Sequence, residues 1–133
     1  MSDRVVAAAR AWLGTPYRHR ASVIGAGCDC LGLVRGVWRQ VAGDEPWVVP
    51  PYRAGWRGDA PGLEDAARRF LRVAEMGVGR VVLFRVGRAV RHCGIMVGDA
   101  RFVHAQERIG VVEADLSEGW RRRVAGVFAF PVN

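Results

Sequence analysis

Cysteines and histidines are the residues of this sequence best suited to nucleophilic or metal chemistry. Cys28 and Cys30 stand one residue apart, and much later His92 is followed directly by Cys93, with His104 further on. A thiol beside an imidazole that is itself oriented by a polar group is the general arrangement of thiol catalysis. The same side chains could also bind zinc or form a redox pair. Their spacing and their structural context must separate these readings.

The pattern around Cys30 favours a nucleophile. A turn-like, Gly-rich stretch precedes it, and a helical pattern follows from Asp29. A helix start presents free N–H groups and a partial positive charge, which stabilise the reactive thiolate. Cys28 lacks this position, so we expect it to be a buried thiol without a catalytic role.

The histidines follow a pattern typical of a hairpin. His92 opens one predicted strand, and His104 lies near the end of the next, after the short turn 98–101. If the two side chains share a face, one imidazole can hold the other in the correct tautomer. His19 lies between two arginines in an early loop, where an exposed surface residue is expected.

The metal and redox alternatives fit the spacing less well. C-x-C is shorter than the usual zinc-ligand spacing, and strand alternation directs His92 and Cys93 to opposite faces. Cys28 and Cys30 are too close in the chain for a comfortable disulfide, and a redox pair is more typically C-x-x-C. We therefore predict no metal and no cofactor.

The elements that must position these residues are helices first and strands later. Residues 2–14 predict a helix with Val5, Val6, Ala9, Trp12 and Leu13 on one face, and further helices are predicted from Asp29 to Gly43 and over 63–73. Five short apolar or aromatic runs then predict strands at 80–86, 93–98, 101–105, 110–115 and 125–130. This order predicts a single α+β domain over residues 1–133, with helices packed on an antiparallel sheet.

Composition narrows the class of protein. The formal net charge is +7, and every basic residue counted in it is an arginine. Aromatic residues are not interleaved with these arginines, as stacking on nucleic-acid bases would require. We expect no nucleic-acid partner. No apolar run is long enough to span a membrane, and the first residues do not form a signal peptide, which predicts synthesis in the cytoplasm without an export signal.

Four ordered motifs resemble the NlpC-type papain-like cysteine peptidases of bacterial cell walls. They are GTPY at 14–17, CDCLGLV at 28–34, HCGIMVGD at 92–99 and FVHA at 102–105. Each motif alone is weak, but the ordered set spans most of the chain. The resemblance implies a papain-like α+β fold, with the nucleophile helix packed on an antiparallel sheet.

The resemblance also implies residue roles. Cys30 would be the nucleophile, His92 the general base and His104 the orienting residue. Tyr17 would help to hold the substrate or the oxyanion, together with the backbone N–H of Cys30, and Asp29 would be structural at the helix start. The substrate implied is a peptidoglycan stem peptide, cleaved between D-glutamate, through its γ-carboxyl, and a diamino acid.

The stretches 21–39 and 120–131 further resemble a branch encoded with the tail genes of prophages and gene transfer agents. This implies a virion component that a phage-like tail carries to the cell wall or periplasm, with a tail-tip or hub protein as partner. The alternative is a structural tail protein with little activity. Leu31 replaces a serine common in the family, which bears on bond preference. The loop 44–62, with Trp47, Tyr52 and Trp56, is expected to form a pocket wall or a docking surface.

Overall fold

Helices dominate the first half of the described chain and strands the second. The computed structural model describes residues 2–46 and 62–131. The helices are α1 (Ser2–Arg10), α2 (Cys30–Ala42), α3 (Leu63–Phe70) and the short α4 (Glu118–Arg122). The strands are β1 (Ser22–Val23), β2 (Gly27–Cys28), β3 (Arg72–Val73), β4 (Val81–Val86), β5 (Ala89–Gly98), β6 (Arg101–Gln106), β7 (Gly110–Asp115) and β8 (Val124–Ala129).

The main sheet has six strands in the order β3-β8-β4-β5-β6-β7, and every neighbouring pair is antiparallel. β1 and β2 form a separate small hairpin just before α2. The central strands β4 and β5 are largely apolar because both faces of the sheet are covered. This arrangement confirms the predicted α+β fold with helices packed on an antiparallel sheet.

The two faces of the sheet carry different layers. Alternate residues such as Leu83, Ile95 and Val103 pack with α1, α2 and α3 in the main core. The other face holds a smaller cluster of Val82, Phe84, Met96, Phe102 and Leu116, against which Trp120 of α4 packs. Strand alternation therefore assigns each sheet residue either to the helix layer or to this aromatic layer.

Two predicted helices are shorter in the structure. α1 ends at Arg10 and continues as tight turns, so Leu13, predicted to face inward, is 43% exposed. α3 ends at Phe70, because residues 72–73 pair with β8 as an edge strand instead of continuing the helix. Tertiary pairing overrides local helical preference at both places.

The sequence-based expectations missed two elements, and some of the residues they name lie outside the described ranges. The sequence patterns did not indicate the β1–β2 hairpin or α4, and His92 is the fourth residue of a longer β5 instead of its first. The loop residues Trp47, Tyr52 and Trp56 lie outside the described residues. Within the described part of the chain, no helix is long and apolar enough to cross a membrane.

Candidate active site

The start of α2 is fixed by one buried carboxylate. Asp29 is the N-cap, and its Oδ1 accepts a hydrogen bond of 2.8 Å from the Gly32 backbone N–H. Its Oδ2 accepts one of 2.7 Å from the Arg20 N–H, and the residue is only 2% exposed. A capping carboxylate satisfies N–H groups that the helix leaves unpaired. Cys30, the first residue of α2, is thereby held in a fixed backbone position.

Gly32 allows the preceding loop to approach the helix start. A Cβ at this position would lie 1.8 Å from the Ala21 carbonyl oxygen, so no other residue fits without displacing backbone. The same carbonyl accepts a hydrogen bond of 3.3 Å from the Asp29 N–H. The loop and the first turn of α2 are therefore locked together around Cys30.

Tyr17 is tied to the same turn through its backbone neighbours. The Cys28 N–H donates to the Pro16 carbonyl, and the Arg18 N–H donates to the Cys28 carbonyl, each at 3.0 Å. The pKa of the half-buried Tyr17 phenol is raised, chiefly by burial and then by the charge of Cys30. The phenol thus stays protonated as a possible donor within electrostatic reach of the Cys30 sulfur.

The two strand histidines are directly hydrogen-bonded. His92 Nε2 and His104 Nδ1 are 2.8 Å apart. The register Ile95↔Val103 sets His104 opposite Gly94, and a Cβ on Gly94 would lie 3.3 Å from that of His104 and 2.9 Å from the Phe102 ring. Glycine at this position lets β5 and β6 carry the two imidazoles at hydrogen-bonding distance.

The pairing of the histidines depends on an irregularity in the hairpin. Gly98 pairs with Arg101 at the turn, but the register shifts by one residue between Met96 and Gly98. Without this bulge, His104 would oppose Ile95 and point to the helix layer, away from His92. A one-residue shift reverses the face of every following side chain. The bulge therefore brings the two imidazoles to one face.

His104 is held neutral. It is 2% exposed, and burial, followed by the charge of His92, lowers its pKa to about 3. A neutral imidazole has one donor and one acceptor nitrogen. His104 Nδ1 can therefore accept a hydrogen bond from His92 Nε2–H, which leaves His92 Nδ1 free to face another group.

Cys30 carries a strongly activated thiol. A hydrogen bond from the Cys93 thiol and the hydrogen bond and charge of His92 together lower its pKa to about 5, against the opposing effects of burial and of Asp29. A cysteine with such a pKa is a thiolate at neutral pH. The structure therefore brings Cys30 and the His92–His104 pair into one site.

The thiol of Cys93 donates hydrogen bonds to Cys30. It is buried, and its Sγ donates to the Cys30 carbonyl oxygen at 3.3 Å. Its thiol also reaches the Cys30 sulfur, and this hydrogen bond is the first cause that raises the pKa of Cys93. One S–H proton serves one acceptor at a time, and a thiolate is the stronger acceptor. Cys93 thus remains protonated and donates when Cys30 is ionised.

Cys28 and His19 occupy peripheral positions. Cys28 is fully buried, as expected, and burial is the first cause that raises its pKa to about 12. His19 is exposed, with its Nδ1 3.9 Å from Asp29 Oδ2. Within the described ranges, no group of three or more His, Cys, Asp and Glu side chains could hold a metal ion.

Two contributors to the site went unassigned in the sequence. The sequence patterns indicate for Cys93 only a metal-ligand alternative, and Trp120 lies within the stretch 120–131 without a role of its own. Trp120 packs on both imidazoles, with ring centroids 5.8 Å from His92 and 5.4 Å from His104. Strand alternation could have placed Cys93 on the face of the sheet that packs against the helices, where Cys30 lies. No local sequence pattern indicates the contacts of Trp120.

Fold and site together define a papain-like α+β domain with a helix-start thiol beside a histidine pair on the sheet. The model of the NlpC/P60 family matches residues 14–128, and the chain belongs to that family.

Relatives agree with this assignment. The "Murein DD-endopeptidase MepS/Murein LD-carboxypeptidase" of Escherichia coli K12 is 34% identical over 113 residues, which cover 84% of this chain and 54% of the relative. The chain thus spans about half the length of the curated relatives it matches. Two solved structures share the fold. The NlpC/p60 domain of the peptidoglycan hydrolase SagA has a TM-score of 0.68, 20% identity and coverage of 98% and 99% of the two chains. The peptidoglycan hydrolase RipB from Mycobacterium tuberculosis has a TM-score of 0.66, 16% identity and coverage of 99% and 65%.

Proposed function

We propose that this protein is a cysteine peptidase that hydrolyses peptidoglycan stem peptides, with Cys30, His92 and His104 as its catalytic residues. The observation that carries the proposal is the Cys30 thiol at the start of α2 together with a histidine pair joined at 2.8 Å, in a chain of the NlpC/P60 family. The names of the relatives support a cell-wall substrate.

The first step is attack of the Cys30 thiolate on the carbonyl carbon of the scissile amide. A C–S bond forms, and the carbonyl oxygen becomes an oxyanion. The Cys30 N–H at the start of α2 and the protonated Tyr17 phenol are the donors that stabilise this charge. Collapse of the intermediate breaks the C–N bond and leaves a thioester on Cys30.

His92 moves the protons of the reaction. As an imidazolium beside the thiolate, it protonates the leaving amine through Nδ1. The neutral His92 then takes a proton from water, which attacks the thioester and releases the acid product with Cys30 restored. Throughout the cycle, His104 Nδ1 accepts the His92 Nε2–H and holds the ring in the orientation that both transfers need.

We further propose that the bond cleaved joins D-glutamate, through its γ-carboxyl, to the diamino acid of the stem peptide. The support is the motif resemblance of residues 14–17, 28–34 and 92–99. The relative from Escherichia coli is named for DD-endopeptidase and LD-carboxypeptidase activities, which concern other bonds. Leu31 replaces a serine common in the family, so the pocket next to Cys30 differs. Bond preference must be measured on this chain.

A phage-like tail is the proposed route of this enzyme to the wall. The support is the resemblance of residues 21–39 and 120–131 to tail-associated members of the family. The protein would be made in the cytoplasm, assembled with a tail-tip or hub protein, and act on the wall or in the periplasm. The expected result is co-purification with particles; recovery only as a free protein in lysates that contain particles would contradict this route.

Hydrolysis of purified muropeptides tests the enzyme proposal. Wild type is compared with Cys30→Ala and His92→Ala, and with Cys28→Ala as the matched control for loss of a neighbouring thiol. We expect both active-site variants to lose activity by a factor of about a thousand or more, and Cys28→Ala to keep most of it. Wild-type inactivity on folded protein would instead favour a structural tail protein that retains the fold.

Mass spectrometry of products from defined stem peptides tests the bond. Cleavage after D-glutamate leaves the dipeptide L-Ala-D-Glu, with its γ-carboxyl free, on the sugar side and a free amino group on the diamino acid. Products cut only between D-amino acids, or only at the terminal residue, would overturn the proposed bond while leaving the proposed enzyme class intact.

A further inference from the structure

The short helix α4 holds an indole over the face of the sheet that carries the histidine pair. Ser117 is the N-cap, and its side chain accepts from the Trp120 N–H at 3.4 Å. The Leu116 N–H donates to the Ala100 carbonyl at 2.7 Å, which ties the approach to α4 to the β5–β6 turn. These hydrogen bonds fix the backbone from which Trp120 projects.

Four rings surround the Trp120 indole. His104 lies 5.4 Å away at 80°, and His92 lies 5.8 Å away at 34°. Phe84 and Phe102 complete the group at 4.9 and 5.3 Å, and Phe84 itself stacks on His92 at 6.0 Å. Edge-to-face and tilted contacts at these distances are favourable. The indole therefore contacts both members of the hydrogen-bonded pair from one side.

We propose that Trp120 is a positioning residue for the reaction: its indole excludes water from the His92–His104 pair and so keeps His104 as a neutral hydrogen-bond acceptor. This inference rests on the proposed function, because the positioning matters only if His92 is the base. Trp120 touches neither the reacting sulfur nor the substrate in this role; it acts through the two imidazoles.

The positions of the protons on His92 and His104 explain why shielding by the Trp120 indole matters. His92 must direct Nδ1 to Cys30, so its Nε2–H must find an acceptor, and His104 Nδ1 at 2.8 Å is that acceptor. A protonated His104 would have a hydrogen on both nitrogens and could accept nothing. It would also repel the imidazolium that His92 becomes beside the thiolate. Water at the pair would favour this protonated, non-accepting form.

Burial, more than the surrounding charges, keeps His104 in its neutral form. From β5 it faces His92, whose charge also disfavours protonation of His104, and His92 in turn interacts with the Cys30 thiol of α2. On β7 its partner is the apolar Val112, and the neighbouring Glu113 is engaged by Arg10 and Arg101. Arg123, the residue after α4, lies over the Trp120 ring at 5.4 Å.

Histidine NMR tests the proposal directly, because the chain has only three histidines to assign. In the wild type, we expect His104 to remain neutral, with its proton on Nε2, from about pH 8 to about pH 5. In Trp120→Ala, we expect the titration of His104 to move up to the ordinary histidine range of about 6.5, and the tautomer to become mixed. Trp120→Phe should restore most of the wild-type behaviour. The matched control Arg122→Ala changes an exposed residue of the same helix and should leave His104 unchanged.

Activity provides the second readout. The kcat/KM of Trp120→Ala should fall about tenfold more at about pH 5.5 than at about pH 7.5, relative to wild type at the same pH. A folded Trp120→Ala whose His104 behaves as in wild type, or whose pH profile runs parallel to it, overturns the proposal. Should Trp120→Ala fail to fold, Trp120→Leu replaces it and the same criteria apply. Wild-type protein without peptidase activity would contradict the proposed function, whereas the NMR result would still decide whether Trp120 shields His104.

Discussion

The nucleophile and its base are positioned by different forces. The nucleophile turn (residues 16–32) is held by directional hydrogen bonds, three of which end on the Asp29 carboxylate or the Ala21 carbonyl. In the histidine hairpin (β5, β6 and α4), backbone pairing sets the strands, and ring packing around one side-chain hydrogen bond holds the two imidazoles. A buried polar group that loses its partner is strongly penalised, whereas a packed ring tolerates a similar ring. Loss of a hydrogen-bonding group should therefore be costly in either region, whereas exchange of one ring for a similar ring in the hairpin should be tolerated.

Removal of His104 should give the largest effect on the hairpin. His104→Ala leaves His92 Nε2–H without an acceptor in a buried setting, so kcat/KM should fall by a factor of about a thousand or more while the fold persists. Steady-state kinetics on a defined stem peptide measures this. His104→Gln, which keeps an acceptor oxygen, should recover part of the loss; equal activity of all three proteins would show that the 2.8 Å contact has no catalytic role.

Gly32→Ala should be the most disruptive change in the nucleophile turn. The new Cβ would meet a backbone oxygen at 1.8 Å, and backbone cannot yield as a flexible side chain can. We expect a loss of about 3 kcal/mol or more in the free energy of unfolding, measured by urea denaturation. Gly77→Ala is the control, since its Cβ would meet nothing within 4 Å. Equal stability of the two variants would refute the tight contact.

Asp29→Ala tests the cap itself. It deprives two backbone N–H groups of their acceptor and should cost about 2 kcal/mol of stability, with loss of activity because Cys30 shifts. Asp29→Asn keeps one acceptor oxygen but turns an NH₂ group toward the other donor, so about half that cost is expected. Denaturation midpoints and muropeptide hydrolysis are measured together. An Asp29→Asn variant as damaged as Asp29→Ala would argue for charge rather than capping.

Cys93→Val should change reactivity more than stability, because the two side chains have similar volume. Loss of the S–H donor removes the largest cause of the lowered Cys30 pKa, so that pKa rises from about 5. The alkylation profile of Cys30 with iodoacetamide should shift to higher pH, with about tenfold slower reaction near pH 6. Cys93→Ser, which keeps a donor, should shift it less. Identical alkylation profiles of the wild type and Cys93→Val would show that Cys93 does not lower the pKa of Cys30.

The smallest effect is expected at the outer edge of the hairpin. Glu113 on β7 pairs with Arg10 and Arg101, whose side chains are 47% and 46% exposed. Glu113→Gln should cost less than about 1 kcal/mol of stability and leave kcat/KM unchanged, because exposed ion pairs contribute little. A thermal melt and one activity measurement suffice. A large loss of activity here would show that the hairpin responds to charge and not mainly to ring packing.

Much of the scaffold could be predicted from local sequence. The capping residue Asp29, the apolar stripe of α2 and the five apolar runs that became β4 to β8 are encoded by neighbouring residues. The errors have a common cause, because chain segments at the ends of two predicted helices pair with distant strands. The Gly14 N–H donates to the Val111 carbonyl of β7, next to the exposed Leu13, and residues 72–73 pair with β8. Local propensity is a weak term where tertiary pairing competes with it.

The sequence by itself determined that a thiol stands at a helix start and that two histidines lie on consecutive strands. Only the tertiary structure decided that the histidines meet, that Cys93 donates to Cys30 and that Trp120 covers the pair. For the histidine pair, the physical reason is the bulge between Met96 and Gly98, which shifts the register by one residue. Side chains alternate with a period of two, so this single shift turns His104 from the helix layer to the face of His92.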